Sequence, residues 1–134
     1  MRLWHKDLIP FLPRQQLVGQ WRELCAIARN IDDYGTPNHV LVNKIIDYPK
    51  DDLITYAQAV YMEMTNRGYD AHWVRFAGPM RWLDPVKAVK DIYNGWHNER
   101  YLHQCLANLQ EKADCGAIPA EEWERITDRW PEYK

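Results

Sequence analysis

Cysteine is scarce in this 134-residue chain and poorly spaced for chemistry. Cys25, Cys105 and Cys115 are odd in number and contain no CxxC pair, which argues against a disulfide framework or a zinc site and for a reducing compartment. The five histidines and scattered carboxylates form no HExxH or comparable spacing, so neither a metal nor another cofactor is expected. No apolar stretch approaches the roughly 20 residues that span a bilayer, and no charged leader followed by an apolar run opens the sequence. A monomeric cytoplasmic protein, away from membranes, is the expectation. A basic excess is missing as well. Lysine and arginine number 17 against 19 acidic residues, for a net charge of −2, so the total charge gives no support for a nucleic-acid partner. The charge is nevertheless uneven. Arg2, Lys6, Arg14, Arg22 and Arg29 make the first thirty residues basic, while Glu121, Glu122, Glu124, Asp128 and Glu132 collect near the end.

What remains is apolar and aromatic. A hydrophobic fraction of 46% in a chain of this length fits one compact domain, residues 1–134, that buries its own core. Seven tryptophans and eight tyrosines supply much of that core area, and the count by itself names no ligand. Trp4, Trp96 and Trp130 are read either as core or as residues that stack on bases.

The periodicity is helical. After Pro13, the apolar positions Leu17, Trp21, Leu24, Cys25 and Ala28 fall on one helix face, predicting a first helix over 14–30. A second is predicted from Asp51, as N-cap, through Leu53, Ala57, Val60 and Met64 to Gly68, which suits the left-handed C′ position. A third runs over 98–115 with Leu102, Cys105, Leu106 and Leu109 inward. Pro119 opens a short acidic fourth that Pro131 closes. The run from Asn38 to Ile46 is read as a short helix. The stretch 69–95, with Gly78-Pro79 and Asp84-Pro85, is read as mostly loop with a helical turn over 86–92. The expected fold is all-α, three main helices around one core plus a short C-terminal helix.

On the first helix, Gln16, Gln20 and Glu23 form one polar stripe, and Gln15, Gly19 and Arg22 the next. Glycine inside a helix costs roughly 1 kcal/mol relative to alanine. Two readings of Gly19 stand: tight helix packing, with Arg22 and Glu23 solvated, or close approach of a ligand.

The opening Met1-Arg2-Leu3-Trp4-His5 and the string Arg14-Gln15-Gln16-Leu17-Val18-Gly19-Gln20-Trp21-Arg22-Glu23-Leu24 resemble the pyrimidine dimer DNA glycosylase family, in its bacterial and phage branch. Asn38-His39, Met62-Glu63-Met64 with Arg67-Gly68-Tyr69, His97-Asn98, Tyr101-Leu102 and Cys105-Leu106 extend the likeness to about Lys112. The resemblance implies a glycosylase that also acts as an abasic-site lyase on damaged double-stranded DNA. In that family a terminal amine attacks C1′ of the damaged nucleotide, the base leaves, and the resulting imine permits β-elimination. An α-amino group ordinarily titrates near 7.7–8.0, which leaves an appreciable neutral fraction at physiological pH. It further implies that Glu23 stabilises positive charge or moves a proton, while Arg2 and Arg22 hold phosphates.

Two departures bear on this expectation. The best-known member exposes a threonine amine after losing its initiator methionine. Here residue 2 is arginine, too large for that removal, so Met1 itself is expected to be the nucleophile, with Arg2 behind it. That member also carries a phosphate-contacting arginine where this chain has Ala26, a role that Arg29 would take over. Arg14, His39, His97 and Asn98 complete the expected DNA contacts, Asn98 being equally an N-cap and His39 equally a cap or core residue. A non-catalytic helical module that binds DNA or protein is the competing expectation.

Overall fold

The computed structural model describes residues 1–82 and 91–134, and every regular element among them is helical. The chain is all-α. The main helices are α1 (Arg14–Tyr34), α2 (Lys50–Asn66) and α4 (Glu99–Asp114), with a short α3 (Trp73–Ala77) and an acidic α5 (Ala120–Arg129). Three 3-10 turns, Lys6–Phe11, Asn43–Asp47 and Pro131–Tyr133, complete the order. The helical turn expected over 86–92 falls mostly outside the described residues.

α1 starts where its sequence allows. Pro13 fixes φ at −58° just ahead of the helix, and its carbonyl accepts the Leu17 amide at 2.9 Å. The freed Arg14 amide finds a distant partner, the Glu122 carboxylate of α5 at 3.2 Å. The helix ends at Gly35, whose φ of +76° is the left-handed cap conformation. It runs past the expected end because Asp32, Asp33 and Tyr34 form a solvent-exposed last turn with no apolar period to announce it. The predicted inward residues Leu17, Trp21, Leu24, Cys25 and Ala28 are all buried, and each large aliphatic one contributes roughly 1.5–3 kcal/mol. Trp21 fastens α1 to its neighbours, its ring centroid 5.7 Å from Tyr61 of α2 and 6.2 Å from Phe76 of α3.

α2 begins at Lys50 after Pro49, so Asp51 lies in the first turn and supplies no side-chain cap. A carboxylate there still complements the helix dipole. Its neighbour Asp52 turns inward and accepts the Tyr93 amide at 3.1 Å, tying α2 to the segment before α4. Gly68 does take the left-handed conformation, with Tyr69 N–H bonded to Met64 O at 2.9 Å. α3 is a correction to the loop expected over 69–95. Five residues are too few to show a period, and Gly78-Pro79 masked the turn before it. The expected short helix over 38–46 appears as the later 3-10 turn at Asn43–Asp47.

Residues 1–13 form an arm that crosses this framework. The Lys6–Phe11 turn is capped by the His5 side chain, which accepts the Asp7 amide at 3.1 Å. At its far end Arg67 donates to the carbonyls of Leu12 (2.8 Å) and Pro10 (3.1 Å), and Arg125 also donates to Pro10. Trp4, Trp96 and Trp130 are buried, so their role is packing, as in the edge contact of Trp130 with Phe11 at 5.1 Å.

Candidate active site

The five residues Met1 to His5 have no regular structure of their own, and side chains from all three main helices grip their backbone. From α1, Gln20 donates to Arg2 O at 3.0 Å and accepts from Trp4 N–H at 2.8 Å. Tyr56 of α2 places its hydroxyl 2.6 Å from Trp4 O, and Tyr101 of α4 donates its hydroxyl proton to Leu3 O. Just before α4, His97 Nδ1 accepts the Lys6 amide at 2.9 Å. Between these anchors Leu3, Trp4 and His5 are buried.

This grip ends at a carboxylate. The Arg2 amide lies 3.4 Å from Glu23 Oε2, at the long end of hydrogen bonding, and Gln20 Nε2 lies 3.4 Å from the same oxygen. Nitrogens of consecutive residues are less than about 4 Å apart, so the Met1 nitrogen falls within about 7 Å of that carboxylate. Met1 is 37% exposed and Glu23 half-buried, which leaves both open to an approaching molecule. A primary amine within about 7 Å of a carboxylate on a rigid helix can act as a nucleophile with a nearby proton carrier.

The expected cations distribute around this pair unequally. Arg14 and Arg22 line a groove of about 660 Å³ with Gln15, Gly19, Pro119 and Glu122. Arg2 instead lays its guanidinium 5.4 Å from the Trp4 ring centroid, with Nη1 3.8 Å from Cys105 Sγ. Arg29 is exposed two turns beyond Arg22 on the same helix face, outside that groove. His39 sits in the 36–43 turn, its Nδ1 accepting the Leu41 amide at 3.3 Å. Asn98 caps α4 by accepting the Tyr101 amide at 2.9 Å and donates to Gly95 O, so both ends of its amide are engaged within the protein.

Gly19 is not there for helix packing. A methyl group built on its Cα meets nothing within 4 Å, so the residue opens onto the groove. Gly19→Ala is therefore expected to raise stability by about 1 kcal/mol in urea unfolding, through helix propensity alone. If the groove admits a ligand backbone, the same variant weakens duplex binding, and unchanged binding would leave the glycine without a role there.

His97 corrects the expectation that it faces DNA. Its ring is buried between His5, stacked at 5.1 Å, and Trp96, edge-on at 4.8 Å. Because Nδ1 accepts the Lys6 amide, the ring proton sits on Nε2, which has no acceptor among the described residues. Burial, reinforced by the nearby His5 and Lys6 charges, depresses its pKa to about 3, and burial lowers that of His5 also, against the attraction of Asp7. Between pH 6.5 and 3 the unfolded chain thus binds more protons than the folded one. The stability that depends on neutral His97 is complete above pH 6.5 and drains away as pH falls towards 3. Urea midpoints are expected to drop across that window. In His97→Gln the pH dependence should be flatter, at lower overall stability.

Sequence reasoning missed Gln20, Tyr56 and Tyr101 as site residues. A signal existed for Gln20. It lies between Leu17, Trp21 and Leu24 on the buried face, and a polar residue at a core position is a request for hydrogen-bond partners.

A profile described as pyrimidine dimer DNA glycosylase matches residues 1–74, a span that holds Met1, the α1 string and the whole of α2. No curated protein and no solved structure matches the chain. With more than half of the sequence matched, including the arm and the helix it docks on, the chain belongs to the pyrimidine dimer DNA glycosylase family.

Proposed function

We propose that this protein excises a damaged base from double-stranded DNA, a pyrimidine dimer or another modified base, and then cuts the abasic strand, using the Met1 amine as nucleophile. The observation that carries the reading is the clamped arm, which holds the Arg2 amide 3.4 Å from the Glu23 carboxylate and so keeps the terminal amine within about 7 Å of it. The amine nitrogen bonds to C1′ as the glycosidic bond breaks, and the departing base carries away the bonding pair and takes up a proton. Opening of the sugar ring, with a proton passing to O4′, leaves C1′ doubly bonded to nitrogen as a cationic imine. Loss of a C2′ proton then expels the 3′ phosphate, and water hydrolyses the imine to free the enzyme. Glu23 stabilises the cationic carbon and nitrogen and relays these protons, a role worth roughly 10²- to 10⁴-fold for a positioned carboxylate.

Arg14 and Arg22 supply phosphate contacts along their groove, with Arg29 further along the helix face. The reading rests the DNA side on these local basic side chains despite a net charge of −2, with the α5 carboxylate Glu122 sharing the groove of Arg14 and Arg22. The test is borohydride trapping of the untagged protein on duplexes holding a cyclobutane dimer, an abasic site or no lesion, followed by peptide mapping. An adduct on Met1 with the dimer supports both chemistry and substrate. An adduct on the abasic duplex alone supports the amine chemistry with a different base. No adduct on either overturns the catalytic reading in favour of a binding module.

A further inference from the structure

Gln20 is 1% exposed in a helix face whose other buried residues are all apolar, from Leu17 and Trp21 to Ile27 and Ala28. Its amide is fully engaged, half with the arm and half with the residues around it. One Nε2 proton goes to Arg2 O and the other points to Glu23 Oε2, while Oε1 takes the Trp4 amide and lies 2.9 Å from the Tyr56 hydroxyl. Bonding Arg2 O and Trp4 N–H on either side of Leu3 is what a residue of a parallel neighbouring strand would do. One side chain thus substitutes for a strand, and it touches the carboxylate at the same time.

We infer that Gln20 is a positioning residue: it sets the register of the terminal arm and ties that register to Glu23, so that the amine meets the reacting carbon at the right place. This rests on the proposed amine chemistry. Gln20 itself need not touch DNA. Its influence on rate arises because a misplacement of about 1 Å in a reacting group can cost about 100-fold. Tyr56 and Tyr101 hold the same segment from the other two helices, and both keep their protons because burial raises their pKa values. Gln20 alone among the three reaches both the arm and the carboxylate.

Gln20→Met preserves length and apolar bulk while removing the amide. With it, the saturating rate of borohydride trapping on an abasic duplex is expected to fall about 100-fold while duplex affinity changes less than about threefold. Gln20→Glu separates positioning from packing. A protonated carboxyl can replace the amide as donor and acceptor, whereas an ionised one cannot donate to Arg2 O and faces Glu23. Its rate relative to wild type is expected to recover as pH falls, a signature that lost packing does not produce.

Hydrogen exchange of the Trp4 amide gives a readout independent of chemistry. It is expected to accelerate at least tenfold in Gln20→Met with the amides of α1 and α2 unchanged. Trapping within about threefold of wild type in Gln20→Met would overturn the inference. So would a fall in affinity that matches the fall in rate. Where Gln20→Met does not fold, Tyr101→Phe decides, because removing only the hydroxyl on Leu3 O should slow trapping without weakening binding, and an unchanged rate there counts against the clamp. If wild type itself fails to trap, the amine chemistry has failed. In that case Trp4 exchange still reports whether Gln20 fixes the register, and unaltered exchange would overturn that too.

Discussion

Glu23→Gln is expected to reduce single-turnover strand cutting by about 10²- to 10⁴-fold while duplex binding stays the same or tightens slightly. The substitution is nearly isosteric. A glutamine oxygen can still accept the Arg2 and Gln20 N–H groups that now lie 3.4 Å from the carboxylate, so the arm stays docked. What disappears is the negative charge and, under the proposed mechanism, the ability to take and return a proton at the developing imine. Loss of an anion beside a polyanionic substrate should favour binding, if anything. The measurement is cutting of an end-labelled dimer-containing duplex at saturating enzyme, with affinity measured in parallel. Cutting within tenfold of wild type would remove Glu23 from the chemistry, and a parallel loss of binding would make it structural.

The other large effect concerns the terminus. Adding even one residue ahead of Met1 is expected to abolish trapping and cutting, by more than about 10³-fold, through two effects. The Met1 nitrogen becomes an amide with no nucleophilic pair. The new amine then lies one residue farther from Glu23, because the arm cannot slide to compensate. A shift by one position would drive the charged Arg2 into the buried site that Leu3 fills. A cleavable tag provides the control: activity should be absent with the tag intact and restored when proteolysis regenerates Met1. Intact tagged protein that still cuts would refute the terminal nucleophile.

Which parts of this were legible beforehand follows from the range of the interactions. α1 and the glycine stop at residue 68 are written in period and backbone preference, which act within a few residues, and the structure returns them. Asn98 as the cap of α4 is equally local. The start of α2 was missed because proline and aspartate both mark helix entrances, and only the structure orders them. α3 was too short to have a period. The proximity of the terminus to Glu23 came through the family likeness, since composition and spacing alone left two readings open, a solvated Glu23 or a ligand approach beside it. Gln20 was grouped with its surface neighbours Gln16 and Glu23 on helix spacing. Its inward neighbours Leu17 and Leu24 carried the contrary signal. His97 was read as a donor to phosphate because it precedes a helix, a position that gives no information about burial.

The arm has a consequence for how the molecule comes into being. Its anchors join residues 16, 52, 91 and 98 positions apart, so each closes a long loop whose entropy must be overcome before the bond forms. The helices depend on neighbours within a turn and can form far sooner. A refolding chain is expected to regain its circular dichroism before its arm docks, and under the proposed amine chemistry a preparation can be full of helix and nearly empty of activity. For this fold, an active-fraction titration measures the native population that a helical spectrum overstates.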